Sequence, residues 1–231
     1  MADFALAWDQ AGERFFETGI DRGVLYVASG ATYPKGVAWN GLTGVTETPE
    51  GAEANDKYAD NIKYISIYSA ETFKGTIKAY TYPDEWEECN GEAEKNGVVV
   101  GQQKRKGFGL AYRTLVGNDV DGDSHAYKIH LVYGCHAGVA ERDYQTKNDS
   151  PDAIEMSWEF DTTPVVLTTK VDGETLKPTS ILTIDSRKVD SAKLALLEQA
   201  LYGTAADPST STPAVDGYLP LPDDVIAMFN Q

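Results

Sequence analysis

The 231-residue chain is short of the residues that most protein chemistry requires. It has two cysteines, three histidines and three methionines, and 20 lysines and arginines stand against 36 aspartates and glutamates. Two cysteines exclude a disulfide scaffold, and Cys89 and Cys135 read as unconnected thiols. The shortage of positive charge leaves a formal net charge of −16. The excess is spread along the chain and not gathered in a tail, so the surface repels nucleic acid phosphates and anionic lipid. Apolar stretches are short, as at Val98-Val99-Val100, against the roughly 20 apolar residues of a membrane-crossing helix. No basic start followed by an apolar segment opens the chain, so no secretory signal is expected.

Motifs of nucleophilic, metal and nucleotide chemistry are missing as well. There is no Gly-x-Ser-x-Gly elbow, no His-Glu-x-x-His, no Cys-x-x-Cys, no dinucleotide fingerprint and no phosphate-cradling loop. Asp119-Val120-Asp121-Gly122-Asp123 alternates carboxylates as a calcium loop does. That loop needs glycine sixth and a bidentate glutamate twelfth, and counting from Asp119 those places hold Ser124 and His130. A hairpin turn is the better reading. His125, His130 and His136 lie close in sequence without an evident third ligand, and strand parity makes His130 a surface or interface imidazole. Asp84, Glu85, Glu87 and Glu88 could be cast as glycosidase carboxylates, but nothing sets them across a cleft, and a solvated charge run accounts for them. No catalytic residue, cofactor or metal is assigned.

What the chain does contain is strand periodicity. In Ile154-Glu155-Met156-Ser157-Trp158-Glu159-Phe160-Asp161, large apolar and polar residues alternate without a break. Ile154, Met156, Trp158 and Phe160 should line a core, while Glu155, Ser157, Glu159 and Asp161 face water or a partner. Pro151 marks the start and Pro164 the limit of this strand. Further strands are predicted over 23–28, 61–68, 73–82, 108–116, 126–133, 165–171 and 180–184. Asp172-Gly173 is a two-residue hairpin signal, and 118–124 is a longer Asp- and Gly-rich turn. The fold class is therefore mainly β with a flanking helix, an antiparallel two-sheet sandwich or partly open barrel over residues 1–185. Residues 41–60, with five acids, Pro49 and few apolar side chains, read as a long exposed loop, and within it 46–60 should be mobile in a free subunit and ordered by assembly. In 186–231, Leu194, Leu197 and Leu201 fall at helical spacing, with Asp190 or Ser191 able to cap and Gly203 to terminate. A small-residue linker and a short last helix from Pro222 follow.

One basic cluster stands out from the acidic background: Lys104-Arg105-Lys106, ahead of Gly107-Phe108-Gly109. It is either a solvated loop or a contact with an acidic patch on another copy of the chain. Gly107 and Gly109 suit a bulge or a close backbone approach there.

An ordered set of segments carries a family resemblance over nearly the whole chain. It comprises Trp8-Asp9, Arg14-Phe15-Phe16-Glu17-Thr18-Gly19, Trp39-Asn40-Gly41-Leu42-Thr43, Ala79-Tyr80-Thr81-Tyr82-Pro83, Gly101-Gln102-Gln103 and Phe108 to Arg113. Asn148-Asp149-Ser150-Pro151, Ser157 to Val165 and Leu219-Pro220-Leu221-Pro222-Asp223 complete it. Together they resemble the major tail tube protein of long-tailed, non-contractile, siphovirus-type bacteriophages. The resemblance implies two antiparallel sheets with a flanking helix, hexameric rings stacked into a hollow tube, and passage of the genome through it without specific DNA binding. It also implies virion tail location after assembly in the host cytoplasm, with tape measure, tail terminator and distal tail proteins as partners and no membrane. On that reading Lys104, Arg105 and Lys106 are candidates for the subunit interface, and Glu155, Glu159 and Asp161 for the lumen face. Residues 186–231 would pack on or between subunits. A ligand-binding β-sandwich module, for carbohydrate or protein, is the alternative, and a hydrolase a distant third.

Overall fold

A computed structural model describes residues 6–146, 152–171, 173–206 and 213–230. The first strands are β1 (Phe16–Val27), β2 (Gly36–Ala38), β3 (Leu42–Glu50), β4 (Ala54–Ala59), β5 (Ile62–Tyr68) and β6 (Thr72–Ala79). Helix α1 (Trp86–Asn90), β7 (Ala93–Lys95), β8 (Val98–Val100), β9 (Phe108–Asn118), β10 (Gly122–Ala137) and β11 (Met156–Thr162) follow. The chain closes with β12 (Lys170–Val171), β13 (Glu174–Thr175), β14 (Ile181–Asp185), α2 (Ser191–Tyr202) and α3 (Pro222–Asn230).

The protein is mainly β, its pairings are antiparallel, and the main sheet does not close into a barrel. Strand order is β2-β1-β9-β10-β11-β6-β3, with β14 also on β10. β10 belongs to two layers. Its stretch Lys128 to Val132 pairs with β14, and Cys135 to Ala137 pairs with β11. Between them Tyr133 and Gly134 stand opposite the single residue Gly109 of β9, a bulge. Gly134 has φ +63, and a Cβ there would lie 2.2 Å from the Thr163 carbonyl oxygen. Only glycine permits that approach, so this residue lets β10 leave one layer and enter the other.

Two cores result. Leu25, Phe108, Leu110, Tyr112 and Val132 of β1, β9 and β10 meet Ile77 and Ala79 of β6 and Trp158 and Phe160 of β11, with Trp39, Trp86 and Cys89 between them. Alternate residues of the same central strands, Val24, Tyr26, Ala111, Ile129, Leu131 and Tyr133, meet Leu194, Leu197 and Leu201 of α2 and Val225 of α3. The central layer is covered on both faces, which is why its strands read as near-continuous apolar runs. Asp190 caps α2 by accepting from the amides of Ala192 and Lys193, and Tyr26 Oη donates 2.8 Å to the Leu201 carbonyl. Asp223 in the first turn of α3 accepts from the Thr168 and Thr169 amides, tying that helix to the 165–169 segment.

Several expectations change. Residues 46–60 are largely exposed and Leu42 and Val45 pack against the core, and the segment forms β3 and β4 and not a loop. β3 is the sheet's edge strand, so it has little apolar surface to bury and tolerates Pro49 in its ladder. Ile154 and Glu155 precede β11, and Ile154 is 45% exposed. The predicted 165–171 strand reduces to β12 and an isolated bridge from Val165 to Thr179. β12 and β13 do pair across Gly173, while Asp172, Pro151 and most of the 204–214 linker lie outside the described residues. Cys89 and Cys135 are free thiols buried in one core, and burial pushes the Cys89 thiol up to about 12.

Gly30 and Gly134 share φ +63, but a Cβ on Gly30 meets nothing within 4 Å. Gly30→Ala should therefore cost only the backbone term, about 1–2 kcal/mol. Gly134→Ala should add roughly 1–3 kcal/mol of steric strain. Urea unfolding of the two variants checks this, and equal losses would contradict the close-approach argument.

Candidate interaction surfaces

Beyond the pairing of Glu50 with Thr72, the chain continues from β3 and β6 into a separate two-stranded hairpin, β4–β5. Asp60 and Asn61 form its turn with φ +49 and +61, the left-handed pair that a tight two-residue hairpin requires. Asp56 accepts from Ser66 at 2.6 Å and pairs with Lys63 at 2.8 Å. A two-stranded hairpin is marginal in water by itself. This one nevertheless displays Tyr58, Tyr64 and Tyr68 at 71%, 74% and 67% exposure, with Ile62, Ile65 and Ile67 also exposed. Because β5 side chains alternate, these rings and aliphatic groups occupy both faces of the hairpin. Exposed apolar side chains clustered in this way make the hairpin a candidate contact surface.

The outer face of β3, β6 and β11 is a second candidate. Across the ladder Asp161 lies opposite Lys74, Glu159 opposite Thr76, and Ser157 opposite Lys78, while Thr48 faces Lys74 from the other side. Glu159 and Asp161 line a cavity of about 540 Å³ with Glu50, Lys74 and His136. Lys74 Nζ pairs with Glu50 at 2.7 Å, and that contact, helped by Asp161 and Glu159, raises the lysine's pKa. The acidic face expected from β11 alone is thus interleaved with lysines from β6, which no reading of β11 by itself could reveal. Glu155 is separate from this group. It accepts from Thr43 Oγ1 at 2.6 Å and borders another cavity, of about 350 Å³, with Tyr80 and Tyr144.

Lys104, Arg105 and Lys106 form the approach to β9, against α1. The Lys106 amide donates 3.0 Å to the Glu88 carbonyl and its ammonium pairs with the Glu88 carboxylate. Arg105 is half-buried against Gly91, the C-cap of α1. Lys104 and Lys106 are both exposed, Lys106 with its ammonium engaged by Glu88. Nearby β7–β8, turned at Asn96-Gly97, exposes Val98, Val99 and Val100.

The remaining candidates resolve into structural roles. Asn118 Oδ1 accepts from the Val120 and Asp121 amides, and Asp119 Oδ1 accepts from the Gly12 amide at 2.9 Å, so the 118–123 segment is a side-chain-stabilised turn. His125 pairs with Asp121 at 2.9 Å. Among the described residues no group of three His, Cys, Asp or Glu is placed to hold a metal, and no helix is long and apolar enough to cross a membrane. Asp84, Glu85, Glu87 and Glu88 cluster with Glu94 around an open depression at α1. His130 is not at the surface: it is 9% exposed, because Glu47 and Tyr112 cover it. No known family model matches the chain, and no curated protein matches it.

The basic loop yields a direct test. Lys104→Glu should leave stability within about 0.5 kcal/mol while changing the salt dependence of any self-association. Lys106→Glu should cost up to roughly 1 kcal/mol, since it sets two carboxylates together where a half-exposed ion pair stood. Equal stability of the two variants in denaturant titrations would show that the Glu88 contact carries no weight.

Proposed function

We propose that this chain is the structural subunit of a phage tail tube, assembling into stacked hexameric rings that conduct the genome. The observation that carries the proposal is the β4–β5 hairpin, whose tyrosines and isoleucines extend from the edge of the main sheet with no cover in the single subunit. An uncovered edge and an apolar hairpin are aggregation hazards unless a symmetric neighbour takes them up, and ring closure does so. The ordered set of tail tube-like segments supports the same reading, and a mainly β, antiparallel fold with a C-terminal helix is compatible with it. The partner is first of all another copy of the chain. Tape measure, terminator and distal tail proteins would meet the ends of the tube in the virion.

Within this reading Glu159 and Asp161 face the lumen, and the net negative subunit charge keeps DNA mobile. A strongly positive wall would release counterions and hold the phosphates. Glu155 borders the lumen less directly, and Lys104 is the interface residue of the basic loop. The exposed Tyr80 and Tyr144 beside Glu155 favour the second reading, a carbohydrate-binding module, since rings with adjacent carboxylates suit a sugar. Self-assembly separates the two.

Negative-stain microscopy and sedimentation of the concentrated full chain should show rings or tubes. Replacing 54–68 by a short Gly-containing turn should leave the circular dichroism of the domain intact and abolish assembly. A strictly monomeric wild type, including material from virions, or tubes formed without the hairpin, would overturn this account. Glu159→Lys with Asp161→Lys should still form tubes but slow genome delivery in phage carrying them. Unchanged infectivity would remove these residues from the lumen.

A further inference from the structure

Asn-Gly dipeptides are where a chain most readily attacks itself, because glycine puts no side chain in the way of its own amide nitrogen. The sequence holds three, at 40–41, 90–91 and 96–97. Their surroundings differ. Asn90 is 8% exposed at the end of α1, where the Gly91 amide donates to the Glu87 carbonyl and the Gly91 carbonyl accepts from the Gln103 amide at 2.8 Å. Asn40 is exposed, but Gly41 is held against its surroundings. Its carbonyl accepts from the Tyr80 amide at 2.9 Å, and a Cβ there would lie 2.8 Å from Thr81 Cγ2. Asn96 and Gly97 lack both kinds of protection: they are exposed, and a Cβ on Gly97 meets nothing within 4 Å.

We propose that Asn96 is a spontaneous modification site, where the side-chain amide is lost and aspartate or isoaspartate takes its place. The Gly97 nitrogen attacks Cγ of Asn96 and forms a C–N bond. The Cγ–Nδ2 bond breaks, and that nitrogen leaves as ammonia, carrying the proton that Gly97 gave up. A five-membered succinimide remains. Water then opens one or the other of its carbonyls, giving aspartate or isoaspartate. Water is the single co-reactant.

Attack requires the turn to open, because φ +54 at Asn96 and +79 at Gly97 hold it in the tight hairpin form. Opening is easy here. Ala93 pairs with Val100, Glu94 with Val99 and Lys95 with Val98, in a sheet separate from the main one. A lone two-stranded hairpin is marginal in water, and an exposed ladder with few buried contacts lies at the low end of local stability. Its latch is Glu94, whose Oε1 accepts from the Gly97 amide. That bond occupies the nitrogen that must attack, so the latch has to release first. The product then opposes the latch. It sets a new carboxylate near Glu94, which already shares a depression with Asp84, Glu85, Glu87 and Glu88. Isoaspartate also adds a carbon to the backbone, which a two-residue turn cannot absorb without shifting its strands. The modified chain adds one negative charge to its formal −16 and loosens the hairpin that displays Val98, Val99 and Val100.

The inference needs no assembly and is tested on the dilute full chain. After incubation in warm, mildly alkaline buffer, peptide mapping by mass spectrometry would follow the exchange of NH2 for OH at each asparagine, with isoaspartate separated from aspartate. Conversion at Asn96 should be about tenfold or more faster than at Asn40 or Asn90, the ratio that an opening free energy about 1.4 kcal/mol lower produces. Glu94→Ala removes the latch, so it should speed conversion at Asn96 several-fold and leave Asn40 unchanged. Asn96→Gln should abolish the fastest conversion. Both substitutions lie outside the two cores and leave the fold intact. Conversion at Asn96 no faster than at Asn40 or Asn90, or a rate there that Glu94→Ala leaves unchanged or lowers, would overturn the assignment.

Discussion

Everything displayed on this molecule depends on Trp158 being wholly buried between the two layers. Its ring meets Trp86 at 5.5 Å, Tyr82 at 5.6 Å and Trp39 at 5.9 Å, all edge-on. Trp86 in turn meets Phe108 of the central layer at 5.0 Å. These contacts bridge β11, α1 and β9, so one aromatic cluster joins the outer layer to the inner one. Edge-on ring pairs add roughly 0.5–1.5 kcal/mol each beyond their burial. The Nε1 groups of Trp86 and Trp158 are buried without hydrogen-bond partners, while Trp39 Nε1 donates 2.9 Å to the Thr81 carbonyl, so the cluster is held mainly by area and ring geometry. Losing Trp158 would leave a large cavity and a loosely attached outer layer.

The layers are unequal, and the inequality creates the functional surface. The central layer is sandwiched between the outer layer and α2–α3, so it has no free face to offer. The outer layer buries one face on the tryptophans and leaves the other, with Lys74, Glu159 and Asp161, open. Its edge continues into the uncovered hairpin. Only the outer layer can meet another molecule broadly, and Gly134, by allowing β10 to cross, is what holds that layer in register with the rest.

Sequence pattern sufficed wherever one strand carried its own signal. The parity of Met156, Trp158 and Phe160, the helical spacing of Leu194, Leu197 and Leu201, and the Asp190 cap are each local properties, and each is observed. Asn96-Gly97 carries an equally local hairpin signal, strong enough to have placed β7–β8. β3 and β4 were illegible for a different reason: an edge strand and an exposed hairpin bury little, so no alternation of apolar and polar residues develops. His130 failed because parity tells which face a residue takes, not what arrives to cover that face. Glu47 comes from 83 positions away in the chain. The basic loop shows the same limit, since Lys106 looked free until Glu88 was seen beside it.

Charge and apolar surface then divide the work of association. Subunits each carrying −16 repel at long range, and at physiological salt that repulsion fades beyond about 8 Å. Attraction must therefore be short-ranged, and the rings of Tyr58, Tyr64 and Tyr68 are suited to it because burying them needs no ion pairing. Local cations such as Lys104 are too few to drive association. They can still set which acidic patch is met first, since charge steers encounter and register more than it adds affinity. On the tail tube reading proposed above, an apolar hairpin for adhesion and a sparse set of cations for alignment would suit a strongly acidic subunit that has to meet copies of itself. At the root of that hairpin, Glu47 of β3 meets Tyr112 and His130 of the central layer, so the end of β3 is tied to the sheet before the chain leaves it.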